Sequence, residues 1–123
     1  MPRKLIYSIQ EHHARNLHWD LRLEWNGALL SFALPKGVPT GKEKRLAIQT
    51  EEHEISYAFF EGEIKEGYGK GKVKLLDKGT YEMVSKKDSK MVINIKGRKL
   101  NGEYVLLKFP KSGENNWLFF KKN

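Results

Sequence analysis

The chain has no cysteine among its 123 residues. That excludes both a disulfide framework and a thiolate metal centre. Any transition metal must be held by nitrogen and oxygen donors, which favours manganese, zinc, iron or magnesium over copper(I) or iron–sulfur chemistry. No apolar run approaches the ~20 residues of a membrane span, and Met1-Pro2-Arg3-Lys4 does not open the apolar region of a signal peptide. The expectation is a soluble, cytoplasmic protein with no membrane partner. Internal repeats, low-complexity tracts and interdomain linkers are also missing, so 1–123 reads as a single domain, long enough to bury a real core. Gly67, Gly69 and Gly71 lack the Lys-Ser/Thr ending of a P-loop and open no clear helix. They read as a bend where a strand changes direction.

Acidic residues are the minority: 15 Asp+Glu face 23 Lys+Arg, for a net charge of +8. A small domain with that surplus suits a polyanionic partner, most simply nucleic acid. The lysines are spread along the whole chain, with small clusters at Lys70/Lys72/Lys74, Lys86/Lys87/Lys90 and Lys121/Lys122. This suits a broad phosphate-tracking surface better than a sequence-reading helix.

What the chain does contain is a succession of short strands. Period-two patterning and turn residues predict strands over 5–10, 17–25, 28–34, 45–50, 58–64, 73–76, 80–84, 91–96, 103–109 and 117–121, with one helical turn over 40–44. Asn26-Gly27 is the strongest hairpin signal, because both residues tolerate φ > 0. Asp77-Lys78-Gly79 reads as a turn between two of these strands. Strands at this spacing predict an all-β fold, a small barrel or sandwich with at most short helical turns.

The segment 17–25 carries the chemistry. His18, Asp20 and Arg22 alternate with Trp19, Leu21, Leu23 and Trp25, the pattern of a half-buried strand whose polar side chains share one face. An imidazole, a carboxylate and a guanidinium on one face suit a divalent metal beside an anion. Arg22 supplies a planar fork for phosphate or carboxylate. His12 and His13 lie just upstream, close enough in sequence to fold back over the start of the strand. On the residues alone, three readings stand: a metal–phosphate enzyme, a non-catalytic nucleic-acid-binding barrel, and a two-His-one-carboxylate iron oxygenase. The basic charge and Arg22 favour the first.

Taken in order, these segments resemble the 3′-phosphoesterase domain of bacterial DNA ligase D, in its stand-alone form. The matching stretches are Gln10-Glu11-His12, Leu17 to Glu24, Leu34-Pro35-Lys36-Gly37, Lys44-Arg45-Leu46-Ala47, Glu52-His53, Tyr57, Phe60-Glu61-Gly62, Glu66-Gly67 with Tyr68-Gly69-Lys70-Gly71, and Asn116-Trp117-Leu118. The resemblance implies a small β-barrel and a manganese-dependent hydrolase acting on DNA primer–template or duplex 3′ ends in non-homologous end joining. It implies a phosphodiesterase step that removes a 3′-terminal ribonucleoside, then a phosphomonoesterase step that leaves a 3′-hydroxyl for a separate DNA ligase. By match, His12, His18 and Asp20 are the metal ligands. Arg22 and His53 are the catalytic, phosphate-binding pair, and Tyr57 is a further catalytic position. Lys36 and Arg45 contribute substrate contacts. His13 stands where the family usually has an aspartate, and Lys65 where it usually has a proline. The longer N-terminal arm of the ligase-fused versions, which carries residues for the monoesterase step, has no counterpart, so the diesterase step is the firmer expectation.

Overall fold

The computed structural model describes residues 4–67, 70–109 and 113–122. Among these, nine strands run in chain order: β1 (Leu5–His13), β2 (Leu17–Trp25), β3 (Ala28–Leu34), β4 (Arg45–His53), β5 (Gly62–Ile64), β6 (Gly71–Lys87), β7 (Lys90–Lys96), β8 (Asn101–Lys108) and β9 (Asn116–Lys121). A short 3-10 helix, Ile55–Phe59, lies between β4 and β5. The sheet order is β1-β2-β3-β4-β9-β8-β7-β6-β5, and β1 also pairs with β6. That pairing closes eight antiparallel strands into a barrel and leaves β5 appended to the start of β6. The expected all-β barrel is what the chain forms.

Alternation explains which side chains fill it. Tyr7 and Ile9 of β1, Leu21 and Leu23 of β2, Phe32 and Leu34 of β3, Ile93 and Ile95 of β7, Leu106 of β8 and Phe119 of β9 are all at 0% exposure and belong to one core cluster. Truncating Phe32 to alanine would cost ~3–5 kcal/mol, the scale for emptying a buried aromatic site. The β2–β3 hairpin closes as its sequence predicts: Asn26 at φ 51° and Gly27 at φ 81° give the primed turn that matches strand twist.

Three expectations are corrected. The turn at 77–79 is absent; strands 73–76 and 80–84 are one continuous β6. Asp77 has the short polar side chain that usually bonds its own turn, but here it reaches across to the 97–100 segment. Its carboxylate accepts hydrogen bonds from the backbone N–H groups of Lys78, Arg98, Lys99 and Leu100 and from the Tyr7 hydroxyl. A Cβ on Gly97 would stand 2.5 Å from Asp77 Oδ2, so only glycine lets that segment approach. The helical turn at 40–44 is an open bend, because Glu43 accepts hydrogen bonds from the Thr40 hydroxyl and the Gly41 N–H without any helix. The strand expected over 58–64 is mostly the 3-10 helix, with only Gly62–Ile64 extended. Its apolar residues cover the outside of the barrel. The glycine segment does contain a bend at Gly67, while Tyr68 and Gly69 lie outside the described residues.

Candidate metal centre

Trp19, Leu21, Leu23 and Trp25 of β2 face the core, so His18, Asp20, Arg22 and Glu24 project from the outer wall of the barrel. Antiparallel register places His12 opposite His18, Gln10 opposite Asp20 and Ser8 opposite Arg22, with Ser31 of β3 on the other side of Arg22. An outer wall is normally solvated. Here the segment after β4 crosses over it. Gln10 Nε2 donates to the carbonyls of Tyr57 at 3.0 Å and Phe60 at 3.1 Å, pinning that strap to the wall. Beneath it Asp20, Arg22 and His12 retain only 5%, 4% and 8% exposure.

His53 reaches this face through a bulge. Ser31 pairs with Thr50, but Leu29 pairs with His53, so β4 carries one extra residue between those pairs. Strict alternation from the inward-facing Ala47 would turn position 53 toward the interior. The extra residue inverts the phase and presents His53 beside Arg22, the re-aiming that bulges perform next to functional sites.

Three side chains converge on one oxygen. Asp20 Oδ2 is 3.5 Å from His12 Nδ1, 3.4 Å from His18 Nε2 and 3.6 Å from Arg22 Nη2. The candidate donor atoms of His12, His18 and Asp20 all lie within 4.8 Å of one another, and the two imidazoles meet edge to face with centroids 4.7 Å apart. His18 Nδ1 stands 2.9 Å from the Asn16 carbonyl. A carbonyl only accepts, so this contact puts the ring proton on Nδ1 and leaves the Nε2 lone pair for a cation, as outer partners of metal-ligating histidines usually do. Two nitrogens and one carboxylate oxygen form a set that fits a divalent first-row ion with further positions open.

The charges respond to one another. Contact with Asp20 raises the pKa of His18 above the usual imidazole value, against the opposing effect of burial. Burial alone would raise the Asp20 carboxyl, but His18, Arg22 and His12 together hold it below the usual carboxylate range. Burial lowers Arg22, with Asp20 acting against it; a guanidinium stays charged regardless. Burial and the Arg22 charge lower His53. His53 Nδ1 lies 3.0 Å from the Glu51 carbonyl, 3.3 Å from Ser31 Oγ and 3.3 Å from Arg22 Nη1. Arg22 and the carbonyl demand opposite roles of that nitrogen. The shorter carbonyl contact decides it: Nδ1–H donates, Ser31 shares the proton while its hydroxyl donates to the Leu29 carbonyl, and Arg22 is a neighbour without a hydrogen bond.

Arg22 is held from two further sides. Its Nε donates to Gln10 Oε1 at 2.9 Å, and its guanidinium carbon lies 5.2 Å from the Tyr57 ring centroid. Tyr57 is stacked between His53 and Phe60, with centroids 5.2 and 5.1 Å away. Burial raises the Tyr57 phenol, with Arg22 opposing. The structure therefore gathers His12, His18, Asp20, Arg22, His53 and Tyr57 on one face.

Lys36 and Arg45 are placed elsewhere. Lys36 is exposed in the turn that leaves β3. Arg45 opens β4, pairs with Glu43 at 3.3 Å and shares the parity of the inward-facing Ala47. His13 is exposed and engages Glu11, on the other side of β1 from His12. Two residues of the site had no role assigned from sequence, Gln10 and Ser31. Both were findable: Gln10 precedes His12 by two, hence shares its face, and a two-residue hairpin at Asn26-Gly27 sets Ser31 opposite Arg22.

A family model described as the DNA Ligase D 3′-phosphoesterase domain matches residues 10–108. The multifunctional non-homologous end joining protein LigD of Mycolicibacterium smegmatis is 42% identical over 125 residues, covering 91% of this chain and 16% of that protein. The multifunctional non-homologous end joining DNA repair protein LigD of Mycobacterium tuberculosis is 42% identical over 118 residues, covering 91% and 15%. LigD of Pseudomonas aeruginosa is 37% identical over 133 residues, covering 98% and 16%. The chain thus spans about one sixth of the length of the curated relatives it matches.

Proposed function

Because the chain belongs to the DNA ligase D 3′-phosphoesterase domain family, we propose that it is a divalent-metal-dependent hydrolase that processes 3′ ends of DNA for repair, with manganese as the ion. The observation that carries this reading is the convergence of His12, His18 and Arg22 on a single buried oxygen of Asp20. With neutral imidazoles, the Arg22 and Asp20 charges cancel. A dication alone would leave a buried double charge, which is costly in a low-dielectric site. The monoanion of a phosphodiester removes one of those two charges and the dianion of a 3′-phosphate removes both, so metal and phosphate favour each other there.

His12, His18 and Asp20 hold the metal. Bound there, a dication supplies positive charge to the non-bridging oxygens and acidifies a coordinated water. Arg22 grips two phosphate oxygens, its orientation set beforehand by Gln10 and the Tyr57 face; such preset donors supply most of the catalysis in phosphoryl transfer. His53 is neutral in the resting site and can take a proton. Once phosphate offsets the Arg22 charge, it can return that proton to the departing oxygen. Tyr57 keeps its phenolic proton and forms the wall against which Arg22 and His53 are stacked. Lys36 and Arg45 act at a distance from this cluster, as contacts to the flanking strand.

The substrate is a primer–template or duplex end carrying a 3′-terminal ribonucleoside. Removal of the ribonucleoside is the first reaction and removal of the remaining 3′-phosphate the second. The resulting 3′-hydroxyl is what a DNA ligase, the expected partner, consumes. Lysine contacts to phosphate position the duplex with little reading of base sequence.

The test incubates a labelled primer–template ending in one ribonucleotide with the protein and manganese and resolves the 3′-end products. Loss of the ribonucleoside, blocked by chelator and by Asp20→Asn, is the expected result. Tight DNA binding that is unchanged by chelator, with no product, would make the chain a non-catalytic nucleic-acid-binding barrel instead.

A further inference from the structure

The strap that carries Tyr57 also presents a ring the proposed chemistry does not use. Phe59, two residues on in the same 3-10 helix, is 44% exposed, whereas Tyr57 and Phe60 are packed in the stack beside Arg22. The other exposed large apolar side chains among the described residues are Leu17, Val84 and Phe109. Phe59 is set apart by its place on the site strap and by a cation, Lys78 Nζ, 5.8 Å from its ring centroid, at the outer limit of a cation–π contact.

Lys78 is itself aligned with the site. It pairs with Ser8 across β1, and Ser8 pairs with Arg22 across β2. Two strand spacings separate the Lys78 and Arg22 backbones, about 10 Å at ~4.8 Å each. That is within reach of a single nucleoside hung from a phosphate held at Arg22. An exposed aromatic ring paired with a cation is the combination that binds bases without regard to identity, because every base has a π-face.

Building on the phosphoesterase reading, we propose that Phe59, flanked by Lys78, is the stacking platform for the base of the 3′-terminal nucleoside, the group that the diesterase step releases. Stacking holds ground state and transition state alike, so its loss raises KM and spares kcat. The platform accepts all four bases, and it fixes the terminal sugar so that its phosphate meets Arg22.

Steady-state kinetics on a primer–template ending in a ribonucleotide test this. Phe59→Ala should raise KM about tenfold, within the range for losing one base–aromatic stack, with kcat changed less than twofold. Phe59→Trp should restore the wild-type KM, which repair of a merely structural defect would not require. On a primer whose terminal ribose carries hydrogen in place of the base, the wild type should show the KM of Phe59→Ala, and the substitution should add nothing. An unchanged KM in Phe59→Ala, failure of Phe59→Trp to restore it, or an equal penalty on the baseless primer would each overturn the proposal. Should the wild type release no nucleoside at all, the phosphoesterase reading fails separately. Equilibrium binding of the same two primers then decides the platform, with Phe59→Ala expected to weaken only the one that carries a base.

Discussion

Asp20 and Asp77 are almost equally withdrawn from water, at 5% and 3% exposure, and each sits on a barrel strand, Asp20 on β2 and Asp77 on β6. Asp77 lies on the inward side of β6 and receives five donors at 2.8–3.1 Å, four backbone N–H groups and the Tyr7 hydroxyl. Asp20 lies on the outer wall, and the groups around its Oδ2 stop at 3.4–3.6 Å, longer than ordinary hydrogen bonds. One carboxylate is completed by the protein. The other is surrounded by groups that want its charge but stand beyond ordinary hydrogen-bond length from Oδ2. Burial of an acid is thus a poor marker of function by itself; the identity and distance of its donors separate a staple from a ligand.

The sharpest way to break the comparison is to neutralise each acid in turn. Asp20→Asn, like His12→Ala and His18→Ala, should bring 3′-end hydrolysis below detection and weaken manganese binding by calorimetry while the far-ultraviolet spectrum stays that of a barrel. If His12→Ala kept full activity and metal affinity, the ligand assignment would be wrong. Next in size, Arg22→Ala should keep the metal and lose turnover by about 10²–10³, the scale for one preset charge-stabilising donor. Arg22→Lys should recover little of this, since an ammonium lacks the fork; full recovery would mean that only positive charge matters.

Asp77→Ala should show the converse profile. Leaving several buried donors unpaired should cost ~3 kcal/mol or more of stability in urea titration, with specific activity per folded molecule unchanged. Loss of activity in the folded fraction would make Asp77 part of the site. The smallest effect concerns ligand-linked stability. Manganese at a hundred times its dissociation constant should stabilise the wild type by ~2.7 kcal/mol, shift Asp77→Ala by the same increment, and leave Asp20→Asn unmoved. Equal stabilisation of Asp20→Asn would place the metal elsewhere.

The same contrast shows which features the sequence alone makes legible. His18, Asp20 and Arg22 were legible because period two is a property of the backbone, and because the apolar partners of the alternation name the inner face. Asp77-Lys78-Gly79 was misread because an aspartate that caps its own turn and one that gathers donors from residues 98–100 have identical local sequences. The strand expected over 58–64 was misread for a similar reason: Ala58, Phe59 and Phe60 suit a strand as well as a cover, and only the polar wall beneath the strap, with Gln10 offering donors to the Tyr57 and Phe60 carbonyls, selects the cover. His53 could be nominated by its resemblance to a family position, but its direction could not, because the bulge that turns it leaves no residue signature in Thr50-Glu51-Glu52-His53.

That bulge makes β4 tolerant, in the direction of His53, of two kinds of genetic change. A substitution at Glu51 or Glu52 alters an exposed side chain and leaves the phase of the strand intact. Deleting either residue would remove the bulge and leave His53 five positions after Ala47, where strict alternation alone points the imidazole outward, on the side beside Arg22 that it occupies now. For this stretch of chain, a bulged strand and a regular strand one residue shorter aim the same side chain at the same neighbour.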